Sequence, residues 1–446
     1  KSFVDKSKNN KLRAKLDKLL THKVFGYLIF ATILLIIFQF IFSFASVPMD
    51  FIDESFSHLS YWISNTMPAG MFKDLISQGI IPDIGGVVIF IPQIALLFFF
   101  IALLEESGYL SRVVFIMDRL MRPFGLNGKS VVPLMSSVAC AIPGIMASRT
   151  ISDWKERLIT ILVAPLMSCS ARIPVYTLLI ALVIPNTTVL GFMNLQGLVL
   201  FGLYFLGLIA ALGVAILLKW IIKSKDQGFL LLEMPDYKSP RWGNVLLTVF
   251  EKIKVFVFDA GKVILAISVI LWAMASFSPG DRLDKALVTA NEYSIANSLS
   301  DEEHSALIAS TELENSYIGI LGKTIEPVIT PLGYDWKIGI SLICSFAARE
   351  VFVGSLATIY SVNDDGEEHL SLKQKMLRET RSDGTKVYNL ATGVSLMVFY
   401  VFAMQCMATL AVVKRETKSW KWPLVQIAYM GVMAYVGAWL AFIILR

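Results

Sequence analysis

The sequence predicts an all-α polytopic membrane protein built as an inverted repeat of two units with broken or re-entrant helices. Three observations carry this. The 446 residues are 55% hydrophobic and only 17% charged, against roughly 25% charged residues in a soluble domain; mean hydropathy is +0.64. The apolar runs Val24–Ser46, Val87–Leu104, Leu198–Ile222, Val263–Phe277 and Leu424–Leu445 approach or reach the roughly 20 residues that span a bilayer. One pattern of serine and cysteine inside apolar sequence also occurs twice. About seven spanning helices plus two re-entrant units follow from these features.

Loop charge orients the elements in order, because cytoplasmic loops collect Lys and Arg. Residues 1–23 hold eight Lys/Arg and read as a basic cytoplasmic linker. Residues 24–86 are expected to give the first transmembrane helix and an external loop, with Lys73 the one basic residue between Val47 and Gly86. That first run is too long for a signal peptide and lacks a small-residue cleavage site. The first repeat half occupies 87–222. Lys219–Lys254 carries seven Lys/Arg, so 223–257 reads as a cytoplasmic loop with an amphipathic helix. The second half, 258–446, opens with Ser278–Tyr317, where eight acidic residues face two basic ones, which places it outside. Its polar stretch 363–388 reads as an inserted external loop or small helical excursion. The net charge of +5 thus lies at helix ends and does not indicate a nucleic-acid partner.

The repeat is visible residue by residue. Met121–Ser148 and Ile329–Leu356 align without a gap at an offset of 208 and share six of 28 positions, among them Pro123/Pro331, Gly125/Gly333 and Ser137/Ser345. Leu166–Val175 and Ala403–Val412 share four of ten, including Cys169/Cys406. The first unit has basic flanks on both sides, whereas the second follows the acidic loop. The two units therefore face opposite ways, as in transporters with a site at the membrane midplane.

Breaks inside these units present ligand atoms. Pro143 and Gly144 follow Cys140, and Pro165 and Pro174 bracket Cys169. Proline removes a backbone donor, and non-helical backbone survives at membrane depth only where protein or a cavity satisfies it. Free carbonyls, the hydroxyls of Ser136, Ser137, Ser168 and Ser170, and a thiol are thereby expected at one depth. The four cysteines, Cys140, Cys169, Cys344 and Cys406, all lie in apolar segments and form no C-x-x-C pair, which disfavours a disulfide framework. Arg349 and Glu350 are ionisable residues inside an apolar segment, either functional or an interacting pair that fixes the break; Arg172 beside Cys169 suits the same structural purpose.

Glu106–Thr150, Arg157–Tyr176, Asp335–Tyr360 and Cys406–Trp422 closely resemble the bacterial ferrous iron transport protein B family, in matching order over nearly the whole chain. The repeat units resemble that family's gate regions, shared more loosely with nucleoside-type transporters. Three departures stand out. Ala139 precedes Cys140 where the family has glycine. Met404-Gln405 replaces its Thr-Pro before the last cysteine. The family's N-terminal guanine-nucleotide-binding domain is not in this sequence, and "GLNGKS" (Gly125–Ser130) is not a P-loop, since Pro123 stands where the first glycine is required. The sequence, starting at Lys1, is therefore expected to be the membrane part of a longer protein.

The resemblance implies ferrous iron as transported substrate, moved inward through a bacterial inner membrane. It implies gating by GTP through the missing domain, with that GTPase domain, a small cytoplasmic Feo accessory protein and an oligomer as partners beside the lipid bilayer. Ferrous iron accepts thiolate, imidazole and oxygen ligands. The four histidines sit in or near polar segments, so the expected ligands are Cys140, Cys169, Cys406 and Cys344 with Ser137, Ser168, Met167 and Glu350. Pro143, Gly144, Pro165, Pro174, Arg172 and Arg349 are expected to shape or gate the breaks. Cys344 aligns with Ser136, which makes its role secondary. The competing readings are a gate-family carrier of an organic solute such as a nucleoside, and a membrane thiol oxidoreductase. The fragment itself carries no nucleotide-binding motif of an enzyme.

Overall fold

The computed structural model describes residues 17–22, 24–68, 70–89, 91–189, 193–222, 237, 240–280, 282–296, 304, 308, 311–312, 314–346, 349, 351–359, 372–380, 385–404 and 406–446. The first half runs α1 (Phe25–Thr66), α2 (Ile81–Val88), α3 (Ile91–Glu106), α4 (Tyr109–Met121), α5 (Val131–Ala139), α6 (Ala141–Ala147), α7 (Trp154–Val163) and α8 (Ile173–Val183). A two-residue ribbon, β1 (Thr188–Val189) with β2 (Met193–Asn194), turns the chain into α9 (Leu195–Ile221). The second half runs α10 (Trp242–Val255), α11 (Gly261–Ser276), α12 (Arg282–Ala296), α13 (Tyr317–Ile329), α14 (Trp336–Ser345), α15 (Val351–Ile359), α16 (Leu372–Arg378), α17 (Leu390–Phe402), α18 (Met407–Thr417) and α19 (Lys421–Leu445).

Among the described residues, six segments are long and apolar enough to cross a membrane: Phe25–Thr66, Ile84–Glu106, Trp154–Val183, Leu195–Ile221, Leu390–Thr417 and Lys421–Leu445. α10, a π-helical turn at Phe256–Ala260 and α11 join without a gap from Trp242 to Ser276, which adds a further helical column. This is a multi-pass membrane protein. Two of the six segments, Trp154–Val183 and Leu390–Thr417, are interrupted near their middles, at Cys169 and Cys406.

One expected loop is helical, and the polar insertion holds the small helical excursion its sequence allows. α1 continues through Pro48 to Thr66, and its 42 residues extend roughly 60 Å at 1.5 Å each, about twice the hydrocarbon thickness. The stretch 47–86, expected as a loop, is instead mainly helical, and Ser60 Oγ donates to the Ser77 carbonyl at 2.5 Å to tie it back on α1. Within 363–388, α16 packs against α8 of the first half: Met376 is fully buried in one apolar cluster with Tyr176 and Leu332, and Lys337 pairs with Glu379 at 2.7 Å. Residues 360–371 and 381–384 lie outside the described residues, as do 1–16 of the basic linker and 223–236 of the 223–257 loop.

The internal repeat is a structural fact at matching positions. A 3-10 turn, Arg122–Phe124, ends at Gly125 with φ 79°, and its counterpart Thr330–Leu332 ends at Gly333 with φ 83°. Each glycine closes its turn through its own amide, Gly125 N to Arg122 O at 3.0 Å and Gly333 N to Thr330 O at 2.9 Å. Only glycine adopts that left-handed conformation without cost. Asn127 and Asp335, again 208 apart, then cap the next helical turn through their side-chain oxygens. Packing is exchanged between halves: α6 of the first unit lies against α18 of the second, and α15 of the second lies against α8 of the first. A pseudo-two-fold axis between inverted units produces this reciprocity.

α5 and α6 fold on each other as the first re-entrant hairpin. Gly144 permits the approach, because a Cβ there would collide with the Ser137 hydroxyl and stand 2.7 Å from the Pro133 carbonyl oxygen. Gly144→Ala should therefore lower stability by about 1–3 kcal/mol, read as a fall in thermal midpoint in detergent. Gly213→Ala, in α9 with nothing within 4 Å of the new methyl, should be neutral or slightly stabilising.

Candidate functional site

Three of the cysteines occupy one kind of position. Cys140 (φ −155°, ψ 133°), Cys169 (φ −87°, ψ 162°) and Cys406 (φ −60°, ψ 157°) are each an extended residue that directly precedes a helical turn. Cys140 separates α5 from α6, Cys169 starts the 3-10 turn Ser170–Arg172 that leads into α8, and Cys406 starts α18. Cys169 is buried, whereas Cys140 and Cys406 are half-buried and pack against the same apolar cluster as Met167. Cys344 is different: it lies within the last turn of α14 and packs with Ile318, Ile340 and Ile359 in a separate cluster.

Pro174 is the second residue of α8 and Pro143 the third residue of α6; in a first turn the missing N–H costs nothing, since that group has no intrahelical partner. Pro165 instead lies in the 3-10 turn Ala164–Leu166 that continues α7 without a gap and ends it. The breaks themselves are the extended residues Cys140, Met167, Cys169, Ala403 and Cys406.

Hydrogen bonds lace the breaks together. Ser170 Oγ donates to the Ala139 carbonyl at 2.8 Å and receives Gln93 Nε2 at 3.0 Å, which joins the Cys169 break to the Cys140 break. Arg172, fully buried, donates from Nη1 to Val401 O at 3.0 Å and from Nη2 to Ala403 O at 3.2 Å, which joins the first half to the second. Arg349 donates to the same Ala403 carbonyl at 3.0 Å, its guanidinium 5.0 Å from the Tyr400 ring centroid. Met407 N donates to Phe346 O at 2.9 Å, which joins the two breaks of the second half. The two arginines thus act as donors to orphaned carbonyls.

Ser137 Oγ donates to Pro133 O at 2.7 Å, and Ser168 Oγ lies 3.4 Å from Arg172 Nη1; both hydroxyls keep oxygen lone pairs. Glu350 lies outside the described residues, as does Gln405. Among the described residues, no group of three or more His, Cys, Asp and Glu could share an ion. A cation at these breaks would rely on hydroxyl and carbonyl oxygens beside sulfur. The sequence reading missed Gln93 and a buried carboxylate, Glu416 in α18, that receives Arg149 and Arg157. The signals were a lone amide inside the run Val87–Leu104 and an acid within the basic stretch Lys414–Lys421.

Two family models match the chain: "Nucleoside recognition" (Gate) over residues 87–183 and 257–420, and "Ferrous iron transport protein B C terminus" over 200–252. The chain belongs to the FeoB family. Among curated relatives, the Fe(2+) transporter FeoB of Leptospira biflexa is 43% identical over 428 residues, covering 96% of this chain and 59% of the relative. That of Leptospira interrogans is 43% identical over 435 residues, covering 97% and 60%. A Porphyromonas gingivalis relative, 37% identical over 442 residues and covered to 51%, is named as a fusion of Fe(2+) transport protein A with FeoB. The chain thus spans about three fifths of the length of these two FeoB relatives. No solved structure matches it.

The arginine contacts make a specific prediction. Arg172→Lys, which leaves a single point charge in place of a fork serving two carbonyls, should cost about 1.5–3 kcal/mol, the range for one hydrogen bond made by a charged group. Arg349→Lys, with one carbonyl partner, should cost less. Thermal unfolding of the metal-free protein in detergent checks the order.

Proposed function

We propose that this chain is the membrane part of a transporter that moves ferrous iron inward across the bacterial inner membrane. The observation that carries the reading is the set of three cysteines at equivalent helix breaks, in a protein of the FeoB family. Ferrous iron is a borderline acid that takes sulfur and oxygen donors together. Cys140, Cys169 and Cys406, which among the described residues do not form one three-ligand ion site, would offer sulfur singly or in pairs as the ion passes, with the hydroxyls of Ser137 and Ser168, the Met167 thioether and carbonyls at the breaks completing a weak and releasable shell. A thiol that binds the metal gives up its proton. Cys344, placed in another cluster, contributes least. Glu350 remains a candidate carboxylate for the same shell.

In this reading the two gate halves, 87–222 and 258–446, form the pathway. Residues 1–23 connect it to a GTP-binding domain that gates it, 24–86 supply the first spanning helix, and 223–257 lie on the cytoplasmic side. The fused Porphyromonas relative supports a small cytoplasmic accessory protein as partner. Oligomer formation is part of the same reading. The second reading, carriage of a nucleoside, draws on the printed description of the Gate model. It is distinguished by metal-independent nucleoside uptake.

Groups that merely orient a metal's ligands are commonly worth about 10–100-fold in metal affinity. Cys140→Ser, Cys169→Ser and Cys406→Ser should therefore each lower the apparent affinity of anaerobic ferrous iron uptake into proteoliposomes at least about tenfold, with folded yield retained. Cys344→Ser should do less. Unimpaired uptake by all four variants would leave the cysteines as core residues.

A further inference from the structure

Two short helices each carry a break cysteine at one end and a charged residue at the other. α6 and the 3-10 turn that continues it, Ser148–Thr150, run from Cys140 to Arg149. α18 runs from Cys406 to Glu416 and packs against α6. At the end remote from both cysteines, Arg149 grips Glu416 in a fork, Nη2 at 2.5 Å from Oε1 and Nε at 2.9 Å from Oε2. Arg157 of α7 adds a contact to Oε2 at 2.8 Å, and Arg415 stands 3.6 Å away. The Glu416 side chain is only 3% exposed, and Lys252 of α10 lies in the same electrostatic field. Glu416 belongs to the second half, and Arg149 and Arg157 to the first. This is a bridge between repeat units at one mouth.

Nine or ten helical residues cover about 14 Å, roughly half the hydrocarbon thickness. With the breaks at mid-depth, as the transport reading has them, α6 and α18 fill the distance from the breaks to the face whose loops are basic. A cation leaving the breaks in that direction passes along this pair. We infer that Arg149, Arg157 and Glu416 are the latch that closes the inward side of the pathway; the inference rests on the transport reading above. Forked, charge-assisted contacts to a buried carboxylate hold strongly while complete, and the half-exposed Arg149 can swing into water when they part. In the closed state the arginines neutralise the buried Glu416 carboxylate and leave the mouth positive, which repels a cation. Parting α6 from α18 would widen the space between Cys140 and Cys406 and expose Glu416 to the leaving ion.

The test uses the full-length protein in inside-out membrane vesicles, labelled by a membrane-impermeant maleimide and read by mass spectrometry at Cys140 and Cys406. Glu416→Gln, which removes the carboxylate that Arg149 and Arg157 share, should raise labelling about tenfold, the factor that 1.4 kcal/mol represents. Arg157→Gln, which leaves the Arg149 fork intact, should raise it less. Parent-like labelling in both folded variants overturns the inference; if Glu416→Gln does not fold, Arg157→Gln alone decides. The doubly substituted R149C/E416C, once oxidised, should block labelling and iron uptake together and recover both on reduction. Undiminished labelling and uptake in the cross-linked protein would also overturn it. Labelling requires no iron, so a parent protein that fails to transport iron defeats the transport reading while leaving the latch result standing.

Discussion

Everything in this membrane fold depends on how the carbonyls freed at the broken helices are satisfied. Helices crossing a bilayer meet their own backbone needs, and a break exposes groups that lipid cannot serve. Here the protein serves them from side chains reaching across the molecule. Ser170 meets Ala139, Arg172 meets Val401 and Ala403, Arg349 meets Ala403 again, and a backbone amide at Met407 meets Phe346. Two full guanidinium charges are buried for this purpose, a costly choice that makes sense only if the breaks themselves are needed.

The two units solve the same problem with different chemistry. Arg172 occupies the repeat position of Thr409, and Arg349 that of Ala141, so neither arginine has a charged counterpart. The first-half break at Ala139 is closed by a neutral hydroxyl, while the second-half break at Ala403 faces two cations. In the proposed reading, a ferrous ion meets less repulsion on the side of Cys140. The latch at Glu416 has the same logic at the inward mouth: positive groups close it, and a single carboxylate becomes available when they part.

Much of this was legible in the sequence because the informative residues are out of place there. Cysteine, serine and proline within apolar runs mark the breaks, and the 208-residue offset recurs in the capped turns at Gly125 and Gly333. Orientation came from loop charge. Pro143 and Pro174 stand beside the breaks, as their spacing around Cys140 and Cys169 suggests, but the extended residue of each break is the cysteine itself. The helical continuation of α1 to Thr66 was hidden by the polarity of 47–86, which marks exposure rather than disorder. The Glu416 bridge joins residues 267 positions apart in the chain, and no local pattern announces such a contact.

The central claim is that ferrous iron binds where the breaks meet, with cysteine sulfur among its ligands. Iron K-edge X-ray absorption on the protein loaded anaerobically with ferrous iron tests it most directly. The account predicts sulfur scatterers near the roughly 2.3 Å typical of thiolate bonds to borderline metals, mixed with oxygen, and a loss of sulfur amplitude in Cys169→Ser. An all-oxygen shell identical in the parent and in that variant would contradict it.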